Sequence, residues 1–265
     1  MQRRSEGRML ALITNDDGLN APGIQPLIRV ARKLFDRVVV VAPRSQTSAV
    51  SHGITINKTF RVFPQEEPDV YAVEALPADC VFFAMRQLLD VAPDFVLSGV
   101  NLGPNMGYDT VYSGTVAGAR EGLMHGIRAV AFSLAATRPV SFEQADPVIE
   151  KVLAHCMERP FPQRMMLNVN IPSREMFGEI KGYRLASLGT RVFANKTALW
   201  KDPMGNLHGW IGGREFALEG NGDSDCRHLP QGYVTLTPLT WNLSLPDDIE
   251  CRGWAQGLAN GHSKE

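Results

Sequence analysis

Met9-Leu10-Ala11-Leu12-Ile13-Thr14-Asn15-Asp16-Asp17-Gly18 is the stretch from which the rest of the chain can be read. The apolar residues Met9 to Ile13 run on without alternation, as in a strand buried on both faces, and the run then stops abruptly in acid and glycine. The same texture recurs at Val38–Ala42, Phe95–Ser98, Ala129–Phe132 and Met166–Val169. Between these runs lie stretches with helical apolar spacing. Ile24, Leu27, Ile28, Ala31, Leu34 and Phe35 make one face, and Val81, Met85, Leu88 and Leu89 make another. Strand and helix therefore alternate, which predicts an α/β fold with a parallel sheet, helices on both of its faces and right-handed crossovers. Ligands of such sheets bind in the loops beyond the strand C-termini, so the loop opened by Asn15 is a place to look for chemistry.

From about residue 173 the texture changes: Gly, Asn, Asp and Trp rise, and short strand-like pieces such as Arg184–Leu188 and Tyr233–Leu236 appear. The division expected is a catalytic α/β core over 1–172 and a β-rich extension over 173–265, with a frayed tail at Gly257–Glu265. The 265 residues correspond to about 1.8 typical domains, and with no Pro/Ser linker the extension reads as an elaboration of one core. Lys plus Arg number 27 against 28 Asp plus Glu, so no global field gathers nucleic-acid polymers or anionic lipid. An anionic ligand would have to be held locally. Cys80, Cys156, Cys226 and Cys251 form no CxxC pair, and the Met9–Ile13 run is too short for a signal sequence or a membrane span. A reduced, cytoplasmic protein is expected.

Four loops carry residue types suited to chemistry. Asp16 and Asp17 follow the first strand; adjacent carboxylates repel, and a divalent cation with oxygen ligands relieves that repulsion, although Asn, Asp and Gly are also ordinary turn formers. Pro43–Gly53, after the second strand, holds hydroxyls including Ser48 and Ser51 together with Arg44 and His52. Without a GxSxG elbow, a Ser-His-Asp triad is not supported there. Ser98–Tyr112 reads as a 15-residue loop with Asn101 and Asn105 four apart and Asp109 beyond them; a loop of that length in a compact domain points to function. Ser113-Gly114-Thr115 opens a helix that ends before Gly126, with Ser113 or Thr115 as N-cap, and a small-residue turn at a helix N-terminus suits phosphate. Neither GxxxxGK[ST] nor a strand-linked GxGxxG occurs. Taken together, the loops describe a metal-assisted phosphate site.

ITNDDGLNAPGI (13–24), VVVVAPRSQTSAVSHGITI (38–56), PADC (77–80), PDFVLSGVNLGPNMGYDTVYSGTVAGAREG (93–122), LNVNIP (167–172) and GYVTLTPL (232–239) resemble, in order, the SurE family of survival-protein nucleotidases. The resemblance implies a Rossmann-like three-layer core with a hairpin arm and C-terminal segment exchanged between subunits, hence a homodimer or homotetramer. It also implies metal-dependent hydrolysis of nucleoside monophosphates, as a 5′/3′-nucleotidase, with one Mg²⁺ or Mn²⁺ per subunit. Carried over by motif, the metal ligands fall on Asp16, Asp17, Ser48 and Asn101, and Asn105, Ser113, Gly114 and Thr115 fall beside the phosphate. Asp16, Asp17 and Asn105 would then carry catalysis, with His52 and Asp109 as candidate bases. One departure stands out: the family usually reads GTPADC where this chain has Ala75-Leu76-Pro77-Ala78-Asp79-Cys80, which removes a threonine N-cap.

Two alternatives remain open at this point. A haloacid-dehalogenase-type phosphatase forms an aspartyl-phosphate through DxDG, but its nucleophile position is Asn15 here, a poor nucleophile. A non-catalytic nucleotide-binding module would use the same loops without turnover.

Overall fold

β1 (Leu10–Thr14) is fully buried and pairs in parallel with β2 (Arg37–Pro43) on one side and β5 (Phe95–Leu102) on the other. The computed structural model describes residues 8–159, 161–193, 196–212, 216–219 and 222–243. The tail 257–265 and Cys251 lie outside them. The remaining strands are β3 (Val62–Pro64), β4 (Val70–Val73), β6 (Arg128–Ala135), β7 (Met166–Pro172), β8 (Gly182–Leu185), β9 (Thr190–Phe193), β10 (Lys196–Lys201), β11 (Leu207–Gly212), β12 (Phe216–Glu219) and β13 (Tyr233–Leu239). The helices are α1 (Ile24–Leu34), α2 (Pro77–Phe83), α3 (Asp109–Tyr112), α4 (Gly114–Met124), α5 (Asp146–Glu158), α6 (Arg174–Phe177) and α7 (Asp225–His228).

Nine strands form one sheet in the order β3-β4-β2-β1-β5-β6-β7-β13-β8. Pairing is parallel from β4 through β7, which suits the unbroken apolar runs. On one face α1 and α5 bring Ile24, Leu27, Ile149 and Leu153 against Ile13, Phe95, Leu97 and Phe132. On the other, α2 and α4 bring Val81, Val116 and Leu123 against Leu12, Val41 and Val96. Each of these large side chains contributes roughly 1.5–3 kcal/mol by leaving water. α4 lies especially close to β5 because a methyl group at Gly122 would stand 2.6 Å from Val96 Cβ. The three-layer α/β core is therefore as expected.

The extension joins that core. β13 pairs antiparallel with β7, and β8 pairs in parallel with β13, so both complete the central sheet. β10 and β11 form a separate antiparallel hairpin. The 15-residue loop expected after Phe95 is shorter than the sequence suggests, because β5 continues to Leu102 through a one-residue bulge between Ser98 and Asn101, and α3 begins at Asp109. Bulges of this kind re-aim side chains beside sites. Among the described residues no helix is long and apolar enough to cross a membrane.

Candidate functional site

At the C-terminal end of β1 the chain turns through Asn15-Asp16-Asp17-Gly18. Asn15 closes the turn on itself: its Nδ2 donates to Gly18 C=O at 2.9 Å and its Oδ1 accepts from Gly18 N–H at 3.2 Å. The side chain that would occupy the nucleophile position of an aspartyl-phosphate enzyme is thus engaged in local structure. Asp16 and Asp17 are left to shape the site.

Asp16 is only 4% exposed, and the Thr115 hydroxyl at the start of α4 donates to its Oδ1 at 2.5 Å. Burial pushes the Asp16 carboxyl up to about 6; the Thr115 bond opposes the rise and the neighbouring Asp17 charge adds to it. Asp17 is also raised by burial, opposed by Leu102 N–H, which donates to its Oδ2 at 3.2 Å, and by the charge of Arg138. Two adjacent carboxylates held in a setting that disfavours their charge are what a cation would relieve.

The second loop is tied to the first by backbone. Thr47 N–H donates to Asp16 C=O at 2.8 Å, and Ser51 N–H donates to Tyr112 C=O at 2.9 Å. This places Ser48 at the same rim, where Gln46 Nε2 donates to Ser48 Oγ at 2.9 Å and reaches Asp17 Oδ1 at 3.4 Å. Asn101, just past the bulge, gives one Nδ2–H to Gly103 C=O at 2.9 Å, which fixes the amide and leaves its carbonyl oxygen as the atom able to ligate a cation. Two carboxylates, a hydroxyl and an amide carbonyl make an all-oxygen set, and it fits a hard divalent cation.

These residues line one cavity of about 1080 Å³, together with Asn105, Tyr108, Asp109, Tyr112 and Ser113. Thr197 and Ile211 of the β10–β11 hairpin also line it. Ser113 is the N-cap of α4, its Oγ accepting from Val116 N–H at 3.0 Å, so the positive end of that helix opens beside Asp16. Gly114 lies directly against the acid, since a methyl group there would stand 2.8 Å from Asp16 Cβ. Of the sequence-derived candidates, Asp16, Asp17, Ser48, Asn101, Asn105, Asp109 and Ser113 line the cavity, while Gly114 and Thr115 pack behind Asp16. His52 is not among the lining residues; its Nε2 meets Glu121 Oε2 at 2.8 Å. Glu121 also meets His125 Nε2 at 3.0 Å.

Gln46 and Arg138 are site neighbours that motif reading passes over. Gln46 sits two residues before Ser48, in the same loop, whereas Arg138 follows β6 and no local pattern links it to Asp17. Leu76 supplies no side-chain acceptor at the N-cap of α2. Half of a capping box survives nevertheless: Asp79 accepts from Leu76 N–H at 3.0 Å and also from the Thr55 hydroxyl at 2.7 Å.

The fold and rim define a class, an α/β protein with an acidic, oxygen-rich rim facing the N-terminus of a helix. The comparisons with known proteins narrow that class to one family. The model of the family described as survival protein SurE matches residues 11–195. The chain is 41% identical over 240 residues to a 5′-nucleotidase SurE of Moorella thermoacetica, covering 89% of this chain and 92% of that one. It is 42% identical over 243 residues to a 5′-nucleotidase SurE of Gemmatimonas aurantiaca, covering 90% and 95%. The crystal structure of the SurE protein from Aquifex aeolicus superposes with a TM-score of 0.79 at 35% identity, covering 93% of this chain and 99% of that one. This chain belongs to the SurE family.

Proposed function

We propose that the protein is a divalent-metal-dependent 5′-nucleotidase that releases phosphate from nucleoside monophosphates by attack of water. The observation that carries this reading is the meeting of Asp16, Asp17, Ser48 and Asn101 at one cavity rim beside Asn105 and the N-terminus of α4. The relatives' names, 5′-nucleotidase SurE, support the substrate class. Asp16, Asp17, Ser48 and Asn101 would hold one Mg²⁺ or Mn²⁺ per subunit. Bound there, the cation supplies Lewis acidity and lowers the pKa of water. The Thr115 hydroxyl fixes Asp16, and Gln46 holds Ser48 beside Asp17. Asn105, with the α4 N-terminus at Ser113-Gly114-Thr115, would orient the phosphoryl oxygens and stabilise their charge; Ser113 N–H is given to Asp109 C=O at 2.9 Å and Thr115 N–H to the Asp16 carboxylate, which leaves the Gly114 N–H for the ligand. Asp109 lines the cavity and is better placed than His52 to accept a proton.

After exhaustive dialysis against EDTA, phosphate release from nucleoside monophosphates is expected to rise by about 100-fold or more when Mn²⁺ or Mg²⁺ is added. Full activity in excess chelator would contradict the reading. Acid quench of turnover with a ³²P-labelled monophosphate should leave no stable label on the protein; stoichiometric label on Asp16 or Asp17 would restore the aspartyl-phosphate route.

The same reading includes a homodimer or homotetramer. The β10–β11 hairpin exposes Leu199 (74%), Leu207 (64%) and Ile211 (82%), and a two-stranded hairpin with uncovered apolar side chains is marginal in water. Light scattering is expected to give at least twice the 29.2 kDa chain mass, and a concentration-independent single-chain mass would contradict the assembly. Cys80 and Cys156 are free buried thiols, which suits the cytoplasmic location this reading includes. Burial pushes the Cys156 thiol up to about 11. The near balance of basic and acidic side chains, 27 against 28, supports a small nucleotide rather than a nucleic-acid polymer as the ligand.

A further inference from the structure

The motif LNVNIP places Asn168 and Asn170 two apart on β7, a strand with neighbours on both sides. Residues two apart on a strand share a face. That face elsewhere carries Ala129, Ala131 and Met166, yet here it carries two amides that are 0% exposed. Register sets Ser133 of β6 opposite Asn170, and Ser133 is also 0% exposed. Buried amides and hydroxyls are costly unless hydrogen-bonded, so their partners indicate what they are for.

The partners converge on one residue. Asn168 Nδ2 donates to Asn105 C=O at 2.8 Å, and Asn170 Nδ2 donates to the same oxygen at 3.0 Å. Asn170 Oδ1 accepts from Asn105 N–H at 2.8 Å. Ser133 Oγ accepts from Asn105 Nδ2 at 2.8 Å. Both backbone polar groups of Asn105 and one side-chain N–H are thus held by side chains from two sheet strands. Among the described residues Asn168 Oδ1 is buried with no partner, so this amide is kept for the single bond it makes to Asn105. The next turn of the loop is pinned as well, Gly107 N–H donating to Asp225 Oδ2 at 3.0 Å. An amide nitrogen carries two hydrogens; with one bonded to Ser133, the other is available to a ligand in the cavity that Asn105 lines.

We propose that Ser133, Asn168 and Asn170 are positioning residues that lock the Asn105 backbone and amide in the orientation that meets the phosphoryl group. The proposal rests on the reading of the site given under Proposed function. The sheet does the orienting, because side chains rooted in paired strands hold a loop residue more rigidly than the loop's own backbone can.

A double-mutant cycle tests it, with Ser133→Ala made in the parent and in an Asn105→Ala background and kinetics measured with Mn²⁺. In the parent, Ser133→Ala is expected to lower kcat by about 10- to 100-fold. KM and the Mn²⁺ concentration for half-activity should change by less than about threefold, since the residues proposed to hold the cation are untouched. In the Asn105→Ala background the same substitution should cost less than about twofold, because the group it orients is gone. Asn170→Ser, run through the same cycle, serves as a second variant and should show the same non-additive pattern in kcat, with the affinity for inorganic phosphate in the presence of Mn²⁺, read by calorimetry, changed by less than about threefold. Equal losses in both backgrounds, or an unchanged kcat in the parent, would overturn the positioning role. A parent that releases no phosphate from any nucleotide would overturn the functional reading first, and the positioning role with it, before any substitution is compared.

Discussion

Asp16→Asn is expected to lower turnover by on the order of a thousandfold and, in the cation-free protein, to raise the melting temperature. The two effects have one cause. Asp16 is 4% exposed beside Asp17, and burial lifts its carboxyl from 3.8 to about 6 in the folded chain. A folded-state pKa above the unfolded one means that the folded protein binds the proton more tightly. Stability from this group is therefore fully present below about pH 4 and is lost as pH rises through about 6. Above that pH the parent carries a buried charge disfavoured by on the order of 3 kcal/mol, which Asn removes while keeping an acceptor for the Thr115 hydroxyl. A gain of several degrees in melting temperature at pH 8, shrinking below pH 5, is the expected scan. The lost activity should recover in part at higher Mn²⁺ concentration, because Asp17, Ser48 and Asn101 remain to hold the cation. Undiminished turnover, or a lower melting temperature for the cation-free variant at pH 8, would contradict the role given to Asp16.

Gly114→Ala is expected to lower kcat/KM by about 100-fold and to lower the melting temperature as well. Alanine is the better helix former, by up to about 1 kcal/mol in a helix interior, so backbone propensity favours the change at the start of α4. Against that, the new methyl group would stand 2.8 Å from Asp16 Cβ, 3.1 Å from Asp16 Oδ2 and 3.2 Å from Pro77 Cγ. Pro77 belongs to α2, which is packed against α4, and the nearest atom is the stem of the buried Asp16 side chain, so the Asp16 turn or the start of α4 must shift and the carboxylate moves with it. Steady-state kinetics with a Mn²⁺ titration, beside a thermal melt, check both halves. Parent-like kinetics would show that the carboxylate has room which the packing denies it.

Both predictions turn on Asp16, and its candidacy is legible from the chain alone. Acid and glycine directly after an unbroken apolar run place carboxylates at a strand C-terminus, because a fully buried strand has to end where charge begins. The same local rule located β2, β5, β6 and β7, and the N-cap of α4 was narrowed to Ser113 or Thr115, of which the fold uses Ser113. Where hydrophobic period and turn chemistry act over ten or fifteen residues, sequence is sufficient.

Pairings between distant segments have no such local signature. That β13 runs antiparallel to β7, and that β8 then joins β13, depends on which edge remained open after the core had closed. The bulge that carries β5 on to Leu102 appears only against β6. Thr115 reads from sequence as a phosphate contact or an N-cap, and in the fold its hydroxyl is bonded to Asp16, 99 positions away. Asn168 and Asn170 look anomalous in a buried strand until Asn105 arrives over them from 63 and 65 positions away. Sequence by itself determined the α/β class and the loops that hold the candidate ligands, because strand burial and turn formation are local. Which side chains hold those ligands in place was decided only by tertiary structure, because hydrogen bonds in a buried layer are chosen by proximity in space, and sheet order sets that proximity without regard to distance along the chain.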